Sequence, residues 1–229
     1  METLYGGLTL ELCPGAFPLS TDSIALGNFV KLPKGAQVLD LGAGCGVLGL
    51  MLCGRYRDCQ VTGFELDPAA HDMALKNSQA NDLGSRLTSI CGDLTNIPQV
   101  LKAGSFHVCV SNPPYFPSGP ASKTVPLARR ENSCSLKALF VSAAWALRYG
   151  GDFFLVHRPE RLAEICACAA DNHLEPKRLC LLRHRENGPV ALILLQCRKG
   201  GKPGLTWEEA SLYHPDGTAT DYYRMLYHE

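Results

Sequence analysis

The sequence lacks most of the features that mark a special class of protein. Over 229 residues, 22 basic and 22 acidic side chains cancel, so no net field draws the chain to nucleic acid or to a membrane. The longest near-apolar stretch, Ala138 to Leu147, has ten residues and one Ser inside it, far below the ~20 that cross a bilayer. Met1 to Leu12 carries neither a basic nor a strongly apolar segment, and no secretory leader is expected. Eleven cysteines include no Cys-x-x-Cys pair, and Cys166-x-Cys168 is a poor spacing for zinc, so no metal is expected. Their number is odd, and Cys45, Cys53, Cys109 and Cys180 sit inside apolar runs. They read as small buried hydrophobes in a reducing cytoplasm. Internal repeats and low-complexity tracts are missing too. A membrane protein, a disordered tail and a fibrous repeat are excluded. What remains is a soluble chain of the larger α/β kind.

The zero net charge hides an uneven spread. Residues 123–202 carry 14 basic side chains against 7 acidic ones, whereas 1–122 carry 7 against 10 and 203–229 carry 1 against 5. The basic block is either a solvated surface or a face for a polyanion. Composition does not choose between them.

A rhythm of short apolar strands and helices starts after Pro33 to Gly35. Before it lie a short strand near Leu8 to Leu12 and a helix from about Asp22 to Val30, with Ser20 or Thr21 free to cap it. Strands are expected at Gln37 to Leu41, Gln60 to Glu65, Leu87 to Cys91, Phe106 to Val110 and Phe153 to His157. Between them fall helices at Val47 to Tyr56, Pro68 to Asn81 and Ser135 to Arg148, followed by one at Leu162 to Ala170. Two last strands, near Arg178 to Leu182 and Val190 to Cys197, have no helix between them and form a hairpin across Glu186 to Pro189. Such alternation gives a mostly parallel sheet covered on both faces, with one antiparallel strand.

The first chemical signal is Asp40-Leu41-Gly42-Ala43-Gly44-Cys45-Gly46-Val47-Leu48-Gly49. Glycines that follow a strand and open a helix leave backbone amides open to a ligand. Read as Gly44-x-Gly46-x-x-Gly49, the segment fits a dinucleotide fingerprint. That reading puts its first Gly late and leaves Gly42 and Asp40 without a use. Read from Asp40, it resembles motif I of class I S-adenosylmethionine methyltransferases. A carboxylate at the end of a buried strand is costly unless partnered, and a cofactor with an ammonium and a sulfonium supplies that partner. Glu65 ends the next strand, where an acid can accept ribose hydroxyls. Asp93 follows the third strand, a position that in this fold meets the adenine amine.

The second signal is Asn112-Pro113-Pro114-Tyr115 at the end of the fourth strand. It resembles the motif of methyltransferases that act on amino groups of planar systems, such as adenine N6 or a glutamine amide. Such a nitrogen is a poor nucleophile, because its lone pair is delocalised. The Asn112 oxygen and the Pro113 carbonyl can each accept one N–H, pulling the nitrogen towards tetrahedral geometry. Proline fixes φ and demands no partner for an N–H, and Tyr115 offers a flat face for stacking. Catalysis is then mainly orientation and preorganised electrostatics.

Taken whole, the chain resembles the bacterial tRNA1(Val) adenine-N6 methyltransferases, class I enzymes of the small-domain group. Besides both motifs, the resemblance includes Ser20-Thr21-Asp22-Ser23, Ala128-Arg129-Arg130-Glu131, Gly150-Gly151 and Asp221-Tyr222-Tyr223. It implies a Rossmann-like fold with seven strands, one of them antiparallel, in a single domain over residues 1–229, with 1–32 as an N-terminal extension. The implied cofactor is S-adenosylmethionine, held by Thr21, Asp22, Asp40, Gly42, Gly44, Gly46, Glu65, Leu66, Asp93, Leu94 and Asn112. Asn112, Pro113, Pro114 and Tyr115 would carry the chemistry, and the acceptor would be an adenosine of a cytoplasmic tRNA. Lys123, Arg129 and Arg130, just beyond the second motif, are then expected to hold RNA phosphates. Other readings are methylation of another amine such as a protein glutamine or an rRNA base, a non-enzymatic RNA-binding or cofactor-sensing protein, and an NAD-dependent oxidoreductase. Trp145 and Trp207 are expected in packing, and His71, His107 and His173 at the surface or as caps.

Overall fold

The computed structural model describes residues 2–14, 19–115 and 135–228. Lys123, Arg129 and Arg130 lie outside the described residues.

Beyond a two-stranded ribbon of Glu2–Thr3 (β1) and Thr9–Leu10 (β2), the framework is one sheet. Its strands in chain order are Gln37–Leu41 (β3), Gln60–Glu65 (β4), Leu87–Cys91 (β5), Phe106–Ser111 (β6), Leu147–His157 (β7), Leu174–Arg185 (β8), Val190–Lys199 (β9) and Thr206–Tyr213 (β10). Across the sheet the order is β10-β8-β9-β7-β6-β3-β4-β5. Among the described residues, only β9 of this sheet runs antiparallel to its neighbours. The expected hairpin is present. Among the described residues the sheet has eight strands, however, where seven were expected, because β10 adds to the edge in parallel with β8.

Helices cover both faces. Thr21–Phe29 (α1), Val47–Arg55 (α2), Pro68–Ala80 (α3) and Asp221–Tyr227 (α7) pack on one side, where Leu26, Leu50, Val38 and Phe154 form a core. Ile97–Val100 (α4), Leu136–Ala146 (α5) and Leu162–Asp171 (α6) close the other around Phe64, Phe140, Phe153 and Ile193. Burial on both faces explains the continuous apolar runs of the parallel β6 and of the antiparallel β9.

The chain winds from β3 out to β5, then returns to place β6 on the opposite side of β3. Two loops therefore diverge at the carboxyl ends of β3 and β6, opening the crevice where α/β sheets take their ligands. Ser111 ties those ends together by donating to the Leu41 carbonyl at 2.7 Å. Both chemical motifs of the sequence follow these two strands.

At the edges the sequence reading needs correction. Helix α5 stops at Ala146, and Leu147 already pairs with Phe106 in the sheet, so β7 starts six residues before Phe153. Trp207 is 75% exposed on β10 and Trp145 40% exposed on α5; neither is a core residue. Three asparagine and histidine side chains act as braces. Asn77, buried on α3, bonds the Glu11 amide and carbonyl at 2.8 Å each and the Cys45 carbonyl at 2.9 Å. Asn81 holds Thr9 in the same way. His107 accepts the Gln37 amide at the start of β3.

Candidate active site

The loop after β3 is closed by its own sequence. Gly42 (φ +76°) and Gly44 (φ +55°) occupy the left-handed region and face open space on the side where a Cβ would stand. The Gly42 and Ala43 amides donate to the Phe64 carbonyl, the Gly44 amide donates to Glu65 Oε2 at 2.7 Å, and the Gly46 amide donates to the Ala43 carbonyl. The expectation of open amides is thus corrected for these four residues. Here glycine is needed for the turn and for clearance, since a pyrophosphate would find these donors already taken.

Asp40 lies two residues before this loop, 1% exposed, between Gly63 of β4 and Val110 of β6. Both of its carboxylate oxygens are buried with no hydrogen-bond partner among the described residues. Burial, reinforced by the charge of Glu65, pushes its carboxyl up to about 8. Buried polar groups are almost always paired, so this orphan marks a place where a partner is missing.

Two further acids line the carboxyl edge of the sheet. Glu65 spans the turn after β4, Oε1 accepting the Asp67 amide at 2.8 Å while Oε2 holds Gly44. Asp93 caps the short turn Leu94–Asn96 through Oδ1, which accepts the Thr95 amide and hydroxyl. Those bonds hold its carboxyl below the ordinary value. Leu66 is 40% exposed beside Glu65, whereas the Leu94 side chain is buried in the core.

Across the crevice, Asn112 leaves β6 half-buried and bonded at both ends of its carboxamide. Its Nδ2 donates to Ser23 Oγ at 3.0 Å, and its Oδ1 accepts from the Tyr115 hydroxyl at 2.8 Å. Pro113 is buried and Pro114 half-buried. The Tyr115 ring packs against the buried His157, tilted by 59° at 5.0 Å between centroids, and its hydroxyl faces Asp22 as well. Burial, then the Asp22 charge and hydrogen bond, push this phenol well up, so it stays protonated.

Helix α1 forms the wall behind. Ser20 rather than Thr21 caps it, accepting the Ser23 amide, while the Thr21 hydroxyl meets the Tyr227 hydroxyl of α7 at 3.0 Å. Thr21 and Asp22 border a cavity of about 160 Å³ that Arg158, Arg183 and His184 also line. Arg158 is exposed there, 3.9 Å from Glu160. Ser23, Asn77 and His157 act in or under this site although no sequence pattern singled out their roles. Their partners are 89, 66 and 42 residues away, and only the fold brings them together.

A family profile described as "Methyltransferase small domain" matches residues 21–165. The chain belongs to that family. Both signals, and α1 behind them, fall inside the matched segment. Among curated relatives, the tRNA1(Val) (adenine(37)-N6)-methyltransferase of Tolumonas auensis is 32% identical, over 85% of this chain and 81% of its own length. The protein of the same name from Photobacterium profundum is 28% identical over 87% and 85%. Among solved structures, a predicted O-methyltransferase from Agrobacterium tumefaciens superposes with a TM-score of 0.77 at 21% identity, covering 91% of this chain and 96% of that one. Geranyl diphosphate C-methyltransferase from Streptomyces coelicolor A3(2), solved with S-adenosyl-L-homocysteine, gives 0.58 at 14% identity, covering 77% and 76%. The structural likenesses establish the fold: this is the class I methyltransferase architecture, carrying β10 as an eighth strand.

Proposed function

We propose that the chain transfers the methyl group of S-adenosylmethionine to the exocyclic N6 of an adenosine in tRNA. The observation that carries this reading is the Asn112 carboxamide, fixed at both ends two residues past Val110, the strand partner of a buried Asp40 whose oxygens have no partner among the described residues. Curated relatives spanning most of the chain and named for adenine N6 of a valine tRNA support adenine over a protein glutamine.

The residues present suit this cofactor. Asp40 lacks a partner for its charge, the glycine loop leaves clearance beside it, and the loop amides already in use disfavour a dinucleotide. Thr21, Asp22, Asp40, the Gly42 to Gly46 loop and the Asn112 backbone would face the methionine half. Glu65 and Leu66 would take the ribose side, and Asp93 with the Leu94 backbone the adenine side. When bound, S-adenosylmethionine supplies an electrophilic methyl group on a sulfonium.

The chain's own residues prepare the nucleophile. Asn112 Oδ1 has a second lone pair beside the one used by Tyr115, and it accepts one N–H of the acceptor amine. The Pro113 carbonyl accepts the other. Two acceptors at fixed angles bring the nitrogen lone pair out of conjugation, and Pro113 and Pro114 keep the carbonyls rigid. No strong base is required, and the protonated Tyr115 phenol is not one. A base reaches such a site only when splayed from its stack. Phosphates beside it would meet Lys123, Arg129 and Arg130, joined by Arg158 at the cavity mouth. In this reading residues 1–229 act as one domain, with 1–32 supporting the cofactor side, and the enzyme works in the cytoplasm, where its tRNA is.

Incubation with methyl-labelled cofactor and tRNA lacking N6-methyladenosine, followed by nucleoside mass spectrometry, tests the reading. Labelled N6-methyladenosine at one position is expected. Label on another base, on a protein glutamine only, or on nothing would overturn it.

A further inference from the structure

An asparagine used as a hydrogen-bond acceptor has a weakness. Its two carboxamide ends have nearly the same shape, and a half-turn replaces the oxygen with an NH2 group. Turned that way, Asn112 would present a donor to an amine that itself donates, and the clamp would become a repulsion. Something must hold the oxygen towards the crevice. In this structure Tyr115 and Ser23 hold opposite ends, but they are not equivalent. The Tyr115 hydroxyl sits on the oxygen itself, occupying one of the two lone pairs of the atom that meets the acceptor amine. Ser23 sits on the far side, 3.0 Å from Nδ2, where no acceptor amine is needed.

Ser23 is well placed for the task. It is buried in the first turn of α1. Its amide donates to Ser20 Oγ, and the next amide, of Ile24, donates to the Ser20 carbonyl. Behind it Ala25, Leu26 and Phe29 anchor the helix in the core. The hydroxyl therefore stands on a fixed backbone, 89 residues from the motif it touches. We infer that Ser23 is the positioning residue of this site, accepting from Asn112 Nδ2 so that Oδ1 stays turned to the acceptor amine. This rests on the proposed function of Asn112. It adds a residue outside the Asn-Pro-Pro-Tyr motif and a division of labour between its two hydroxyl neighbours.

A double-mutant cycle reads the role. Aspartate presents oxygen at both ends of its side chain, so it needs no orienting. Ser23→Ala is expected to lower kcat about 10- to 100-fold in the natural chain, with KM for tRNA and Kd for the cofactor within about 2-fold. In an Asn112→Asp background the same change is expected to alter kcat less than about 2-fold. Equal losses in both backgrounds would make Ser23 merely structural, and no loss in either would remove it from the site. A second measurement does not need the substrate. The Asn112 side-chain NH2, identified by its disappearance from the NMR spectrum of Asn112→Asp, is expected to exchange its hydrogens about 10-fold slower than in Ser23→Ala. Equal exchange would overturn the inference even if methyl transfer is observed. Slowed exchange in a protein that does not methylate tRNA would leave Ser23 in place and remove the proposed function instead.

Discussion

Asn112→Ala is expected to reduce kcat for methyl transfer about 10²- to 10³-fold, the range found when one preorganised donor or acceptor is removed from a reacting centre. The substitution deletes the acceptor that aims the amine and removes one hydrogen bond each from the Ser23 and Tyr115 hydroxyls. Both are partly buried, so the folding cost is about 1 kcal/mol per lost bond, or roughly 2–4 °C in melting temperature for each. Kinetic loss far beyond the stability loss is the signature of a group acting on the reacting atoms. Cofactor affinity, read by calorimetry, is expected to fall only severalfold, because Asp40, Glu65 and Asp93 stand on other loops. A variant that keeps more than a tenth of the natural kcat would take Asn112 out of the chemistry.

The second large effect belongs to Asp40, and its sign is opposite for stability and for binding. In the unfolded chain its carboxyl ionises at its ordinary value of 3.8, whereas in the folded protein burial and Glu65 hold the proton up to about 8. Below the first value both states are protonated and nothing is lost. Between the two, only the unfolded state releases the proton, so the ligand-free protein loses stability as the pH rises. The slope is about 1.4 kcal/mol per pH unit, which accumulates to on the order of 5 kcal/mol by pH 8. Asp40→Asn removes the dependence. In urea unfolding it is expected to match the natural chain in slope below pH 4 and to exceed it in stability by several kcal/mol near pH 7.5. It is also expected to bind S-adenosylmethionine at least about 100-fold more weakly, since the amide offers a cation no charge. Parallel pH profiles, or unchanged binding, would contradict this account of the buried carboxylate. A residue that destabilises the empty protein while serving its ligand is the usual trade at a functional site.

Much of this was legible in the chain, and the illegible parts have physical reasons. The strands β3, β4 and β6 are buried on both faces and are short apolar runs, which is how parallel strands read. The glycine loop and the Asn-Pro-Pro-Tyr segment sit directly after two of them, so the order of elements alone places both at the switch in strand order. Strand β10 was missed because Trp207, Glu208 and Glu209 are exposed on an edge, where charged side chains replace the apolar pattern. The start of β7 was missed because Leu147 suits the end of a helix as well as a strand. The break lies in the pairing, which shifts between Phe106–Leu147 and Val108–Asp152 around Gly150 and Gly151. The glycines stand out in the sequence, but the use of their amides does not. Their amides turn out to serve Phe64, Glu65 and Ala43, something only the neighbouring strand end could decide. The flat ring of Tyr115 is legible from the sequence; that His157 lies against it is a property of β7.

A crystal structure of the protein with S-adenosylhomocysteine and adenosine would test the central geometry most directly. The account predicts the amino acid end of the cofactor product beside Asp40 and the glycine loop, its ribose at Glu65, and the adenosine amine within hydrogen-bond distance of Asn112 Oδ1 and the Pro113 carbonyl. A cofactor product bound away from Asp40, or an Asn112 carboxamide presenting Nδ2 to the adenosine, would contradict it.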